Sequence, residues 1–335
     1  MKRIALFILK LAIASAAIIW LIQEDKLDLG AIPALLDAPM TMVMAMVLLL
    51  SAFFVAAFRW WLLMRIKQLG VSLLSSVQIV FITNFFTTFM PGGMLTADLV
   101  RAGYTFQNAP EKRTEGAVSI FADRFVALFS IFCIGTVVGI FQQENLAQQP
   151  ILNALWWVCV LSITLLPVTF VVLYRLARRV VYFQRIVNGE LKGPIYSIIQ
   201  RMVQAGRIYR RNMLTLLIVL LLSMVMHTLA VGTFILFSSV VVPGAPLDSL
   251  DYLFAAPWAW IATLLPVSPG GLGVGEAAFD QVCRMLDGGS VIFSYASLYL
   301  AFRILSAICS LPGVVIYLLY RSRVQSAIDE GGASS

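Results

Sequence analysis

The chain has 335 residues, 60% of them hydrophobic and 12% charged, with a mean hydropathy of +0.91. Apolar runs far longer than a soluble core needs exclude a soluble globular class, and the lack of short alternating segments excludes a transmembrane barrel; what remains is an all-α polytopic membrane protein. A formal net charge of +7 would suggest nucleic acid in a soluble chain, but here the charge sorts by side, so no nucleic-acid partner is expected.

Residues 4–22 form the first predicted span. Lys2 and Arg3 precede it, Lys10 lies near enough to snorkel, and Glu24, Asp25, Asp28 and Asp37 follow, which places the N-terminus in the cytoplasm. The run is long for a signal peptide and has no small-x-small cleavage site, so a membrane helix is expected. Residues 40–64 return and end on Trp60, Trp61, Arg65 and Lys67, a pattern that reads as an interfacial belt with cytoplasmic anchors. Residues 71–89 enter the membrane again, yet Lys112 and Arg113 follow only about twenty residues after Pro91-Gly92-Gly93. The simplest topology is a re-entrant hairpin with arms at 71–89 and 96–107. Residues 114–141 then cross outward to a loop at 142–149 that carries Glu144 and neither Lys nor Arg.

Residues 151–174 cross back, and 175–211 carry nine basic residues against one acid, Glu190. That segment is read as cytoplasmic, either in contact with anionic lipid headgroups or simply setting the topology. Residues 212–242 cross outward, Asp248 and Asp251 mark an outer loop, and 252–265 go in to a break at 266–275. Residues 276–286 come back out to Asp287-Gly288-Gly289, and 291–320 end on Arg321 and Arg323 in the cytoplasm, before a polar tail at 324–335. On this reading only Lys26 and Arg284 of the 24 basic residues fall outside. The expectation is one membrane domain, 1–335, with about six full spans, two re-entrant hairpins, and both termini inside. Residues 1–145 and 150–323 then form two repeats of opposite topology, the architecture common among secondary transporters.

The two breaks share a motif. Pro91-Gly92-Gly93 and Pro269-Gly270-Gly271 each precede a carboxylate, Asp98 or Glu276, seven residues after the proline. Arg124 lies 33 residues after Pro91 and Arg303 lies 34 after Pro269, each in the helix after its hairpin. Unpaired backbone at a break cannot face lipid, so each tip must be buried or line a wet cavity. A half-helix starting there presents unsatisfied N–H groups suited to an anion such as a lipid phosphate. Arg101, Arg124 and Arg303 offer bidentate phosphate contacts, with Asp98 and Glu276 as neutralising, amine-binding or proton-carrying partners. The bland alternatives are an intrahelical Asp98–Arg101 pair, plain kinks at the breaks and a snorkelling Arg303. Asp123 and Arg124 point to different helix faces and need separate partners. His227 reads as a core hydrogen-bonder; Thr83, Asn84, Thr87 and Thr88 read as bonding between helices. Trp156-Trp157 and Trp258 with Trp260 read as interface belts. Cys133, Cys159, Cys283 and Cys309 are scattered in apolar surroundings, so neither metal nor cofactor is expected.

Asn84 upstream of Pro91, Asp98-x-x-Arg101, the triplet Asp123-Arg124-Phe125 and the stretch from Pro269 to Glu276 carry a resemblance to the lysylphosphatidylglycerol synthase transmembrane, or flippase-like, domain family. The likeness spans nearly the full length. Where members often place paired glycines before the first acid, this chain has Thr96-Ala97. The resemblance implies a multi-pass protein of the bacterial inner membrane that moves a phospholipid or modified lipid between leaflets, with a homo-oligomer or a separately encoded synthase as the partners to consider. The competing class is a membrane-embedded lipid aminoacyl- or glycosyl-transferase. No nucleotide-binding fingerprint accompanies it, and the soluble catalytic domain of the aminoacyl-transferring members has no counterpart here.

Overall fold

The computed structural model describes residues 23, 30, 33–90, 93–179, 211–264, 268, 271–289 and 293–319. The expected first span, most of the basic loop, the polar tail, and Pro91, Gly92, Pro269 and Gly270 lie outside these residues. Within them every regular element is a helix: α1 (Pro39–Ile66), α2 (Leu73–Phe89), α3 (Met94–Asn108), α4 (Arg113–Phe141), α5 (Gln143–Gln148), α6 (Pro150–Arg179), α7 (Met213–Val241), α8 (Ser249–Thr263), α9 (Val274–Leu286) and α10 (Tyr295–Ser310). After a turn at Leu311, where Pro312 offers no N–H, helix α10 resumes and extends its apolar span to Leu319. Five of these helices, α1, α4, α6, α7 and extended α10, are long and apolar enough to cross a membrane. Helices of this kind satisfy their backbone groups internally, as lipid requires. The protein is an all-α polytopic membrane protein.

The breaks fall where hydropathy and the Pro-Gly-Gly motifs put them. Helix α2 stops at Phe89 with Met90 extended, and α3 begins after Gly93, whose φ of +48° is a conformation a side chain would disfavour. Helix α8 ends at Thr263, and Gly271 and Gly273, with φ of +70° and +79°, hold the chain out of helix until Val274. A Cβ on Gly271 would lie 2.6 Å from the Thr263 Cβ, so the loop is pressed onto the end of α8.

Packing is reciprocal between the halves. Helices α1 and α7 form the central pair; α3 packs on α4 and α2 reaches α10, while α9 packs on α10 and α8 reaches α4. Each of the two closing helices, α4 and α10, therefore touches both hairpins. Since lipid offers no hydrophobic drive, such contacts depend on close approach at small residues. A Cβ on Gly313 would collide with the Phe81 carbonyl of α2, and one on Gly139 would collide with the Trp156 ring of α6. A large aromatic cluster fills the second half, with Phe234 stacked on Phe302 at 4.4 Å and on Phe279 at 4.9 Å. Leu161, Leu165, Leu217 and Leu221 point outward, as lipid-facing side chains do.

Several expectations are corrected. Residues 143–148 form a short helix rather than a loop, joined to the second half where Gln142 Nε2 donates to Asp251 Oδ1 at 2.7 Å. Trp60 is fully buried instead of belted, and Lys67 is 4% exposed; only Trp61, under the Arg65 guanidinium at 5.1 Å, keeps the anchor geometry. Thr83, Thr87 and Thr88 donate to carbonyls of their own helix rather than across helices. That exchange satisfies a hydroxyl without any neighbour.

Gly313→Leu tests the close approach of α10 and α2. Overpacking of this kind typically costs about 1–3 kcal/mol, so the melting temperature of the purified protein in detergent is expected to fall measurably. An unchanged melting temperature would show that α2 and α10 do not meet there.

Candidate functional site

The site begins with a carboxylate in an apolar helix. Asp123 sits ten residues into α4, roughly 15 Å from its start at 1.5 Å per residue, and its side chain is 0% exposed. A charge at such a place persists only with partners, and Asp123 has two. Oδ1 accepts from Arg59 Nε at 2.9 Å and lies 2.8 Å from Arg59 Nη2; Oδ2 accepts from Arg101 Nη1 at 2.8 Å. Arg59 comes from α1, where it is 3% exposed, and its Nη1 donates to Ser223 Oγ on α7 at 2.9 Å. Arg101 lies over the ring of Trp60 at 4.8 Å, a cation–π contact that replaces some of the missing water. One carboxylate thus joins α1, α3 and α4, and Arg59 extends the bond to α7.

The adjacent residue on α4 makes the second rung. Arg124 Nε contacts Asp98 Oδ1 and Oδ2 at 3.1 and 3.2 Å, and Nη2 reaches Oδ1 at 2.6 Å. Asp98 and Arg101, one turn apart on α3, do not pair with each other. They pair crosswise with Arg124 and Asp123, which corrects the intrahelical reading. The difference between the rungs is exposure: the Arg124 and Asp98 side chains are 31% and 26% exposed, against 6% and 0% for Arg101 and Asp123. The inner rung is sealed, while the outer one is partly exposed.

The second hairpin is built differently. Glu276, the third residue of α9, turns back so that Oε2 accepts from the Gly273 N–H at 2.8 Å, and Oε1 lies 3.5 Å from Arg303 Nη1 on α10. Its side chain is 2% exposed and that of Arg303 is 19%. The expected open helix N-terminus is therefore closed here by the chain's own carboxylate, a cap of the usual kind. Helix α3 has no acid in its first turn, and its N-cap, Gly93, offers no capping side chain. Equal spacing from the prolines does not give equal places, because the second loop stays non-helical for longer and leaves Glu276 in the first turn. Behind it, Arg284 Nε donates to Asp280 Oδ2 at 2.7 Å, which secures α9 internally.

His227 links the two clusters. It lies one turn after Ser223 on α7, its Nε2 is 3.3 Å from the Ala127 carbonyl of α4, and its ring is 5.2 Å from Trp260 of α8. Trp260 in turn lies 6.4 Å from Phe302, the neighbour of Arg303. The histidine is the buried hydrogen-bonder that was expected, and it makes the contact between halves at Ala127; Trp260 stands between His227 and Phe302 within the second half. Among the described residues no three His, Cys, Asp or Glu side chains group as metal ligands, and all four cysteines are free.

The model of the lysylphosphatidylglycerol synthase transmembrane region matches residues 7–313. The chain belongs to that family. No curated protein and no solved structure matches it. Of the residues singled out in this family member's sequence, Asp98, Arg101, Asp123 and Arg124 come together, as do Glu276 and Arg303; Gly93 and Gly271 flank the breaks. Arg59 is the functional-site residue that sequence reasoning missed. Its signal was a charge inside an apolar run, obscured by Arg65 and Lys67 nearby.

Asp123→Asn leaves the Arg59 and Arg101 guanidiniums without counter-charge, a change that costs about 3–5 kcal/mol for buried pairs. The double variant Asp123→Asn/Arg101→Gln is expected to recover part of that loss, since the two residues are directly coupled. Thermal unfolding of the single and double variants in one detergent checks this; additive losses would mean that no ion pair exists between them.

Proposed function

We propose that this chain moves the headgroup of a phospholipid or modified lipid across the bacterial inner membrane, through a polar chamber shared by two inverted repeats. One observation carries the reading: an arginine–carboxylate pair stands beside each helix break, Asp98–Arg124 and Glu276–Arg303, on helices otherwise suited to lipid. Membership of a lipid-synthase membrane-region family gives the same direction, and the reciprocal packing of each hairpin on both closing helices is what a two-fold repeat would produce.

In this mechanism the headgroup phosphate displaces Asp98 from Arg124, exchanging one charge-assisted contact for another of similar strength while the acyl tails stay in lipid. Arg303 offers the same exchange on the other side. Rocking of one repeat against the other alternates the face to which the chamber opens. The basic segment at 175–211 would hold the cytoplasmic face against anionic headgroups.

Arg124→Ala and Glu276→Ala are each expected to abolish headgroup movement in proteoliposomes, read as dithionite quenching of a fluorescent lipid, while both variants still insert. Wild-type rates in both would remove the role given to these pairs.

A further inference from the structure

Each closing helix meets the hairpin of the other half, and the two meetings differ in kind. Where α10 crosses α2, contact is made at backbone level: a Cβ on Gly313 would collide with the Phe81 carbonyl. Where α4 ends on α8, polar groups make the contact. Gln142, the C-cap of α4, donates from Nε2 to Asp251 Oδ1 at 2.7 Å and reaches Asp248 Oδ1 at 3.5 Å. On the topology read from charge, this polar meeting lies at the outer face.

The polar junction is closed to solvent but under-bonded. Gln142 is 6% exposed and Asp251 8%. Asp251 uses its other oxygen on α8 itself, accepting from the Asp248 N–H at 2.8 Å, while Asp248 Oδ1 accepts from the N–H groups of Leu250 and Asp251 at 2.7 and 3.0 Å. Those bonds form a capping box that fixes the first turn of α8 without help from α4. Among the described residues, only the Gln142 amide hydrogen-bonds that turn to α4. Its Oε1 is buried with no hydrogen-bond partner, and among the described residues no Lys or Arg pairs with Asp248 or Asp251. Parting the two helices would break one charge-assisted bond, but it would hydrate a buried amide oxygen and a buried carboxylate in exchange.

We infer that the Gln142–Asp251 contact is a releasable latch: when it breaks, the outer end of the second hairpin lifts from α4, while α10 stays packed on α2. The inference rests on the translocation reading only for the purpose of the motion, which is to admit a headgroup at the outer face, and it names the contact that controls that step. The capping box keeps α8 helical in both positions, so the hairpin moves as a unit.

Two native cysteines report the motion. Cys283 lies near the end of α9, 0% exposed, with Asp251 and Asp287 within electrostatic reach of its thiol. Cys159, 2% exposed on α6 against Gly135 of α4, is the internal reference. The purified full chain in lipid nanodiscs is treated with a sulfonated maleimide, and modification of each cysteine is timed by peptide mass spectrometry. Gln142→Leu, close in volume but unable to donate, is expected to label at Cys283 about tenfold faster than the unaltered chain, because a buried thiol reacts from the opened fraction. Gln142→Lys, which brings a cation to both carboxylates, is expected to label there more slowly than the unaltered chain. Cys159 is expected to react at one rate in all three. Equal Cys283 rates, a faster rate in Gln142→Lys, or a parallel rise at Cys159 in Gln142→Leu would overturn the latch. Because labelling is read without transport, a chain that moves lipid while Cys283 ignores residue 142 would keep the proposed function and lose the latch. A chain that labels as expected but moves no lipid would do the reverse.

Discussion

The interaction on which the architecture depends is the clamp of two guanidiniums on Asp123. In water such a group would contribute little, since surface ion pairs are worth at most about 1 kcal/mol. Buried in an apolar helix, it cannot be left without partners, because breaking either contact strands a charge. Asp123 therefore fixes the rotation of α4 about its own axis and the position of α1 and α3 against it, with α7 joined through Arg59 and Ser223. Arg124, one residue on, is turned by that rotation toward Asp98 and toward solvent-accessible space. A sealed pair and a partly exposed pair thus stand on successive residues of one helix.

The two hairpins share a sequence signature and differ in how they use it. In the first, the acid is the fifth residue of the half-helix and reaches across to the closing helix. In the second it sits in the first turn, bonds its own backbone at Gly273 and meets the closing helix with its other oxygen. Two left-handed glycines make the difference by delaying helix formation. The same pair of residue types thus yields one pair that spans two helices and one whose acid also closes on its own backbone.

Hydropathy made the spans legible, since a run of apolar residues is a property of one segment alone, and Pro-Gly-Gly made the breaks legible because backbone conformation is local. Arg124 and Arg303 were legible as charges where lipid permits few. The partners were not. Which face of α3 meets which face of α4 depends on rotation and crossing of helices, and the i, i+3 spacing of Asp98 and Arg101 suggested a pair that the packing separates. Arg59 was hidden for a different reason: it lies within a turn or two of Arg65 and Lys67, so its charge merged with theirs into an interfacial signal, although its side chain is directed inward. Trp60 was misread with it, because aromatic residues next to cations mark the membrane interface in general, and here they form a buried cation–π contact instead.

Communication between the two sites has a physical route. Ala127, one turn beyond Asp123, meets His227; His227 meets Trp260 on the second hairpin; and Trp260 meets Phe302 beside Arg303. These are contacts between large or hydrogen-bonded groups in a close-packed interior, which shift between discrete arrangements rather than deforming continuously. Helices α4 and α10 each touch a helix of both hairpins. An anion that opened Asp98–Arg124 would alter the seat of α4, and through this chain of rings the pressure on the helix that carries Arg303. Contact alone does not establish coupling; that requires that both sites bias one two-state element. Helix α4, which carries the sealed Asp123, the partly exposed Arg124 and the carbonyl that meets His227, is the element these contacts share.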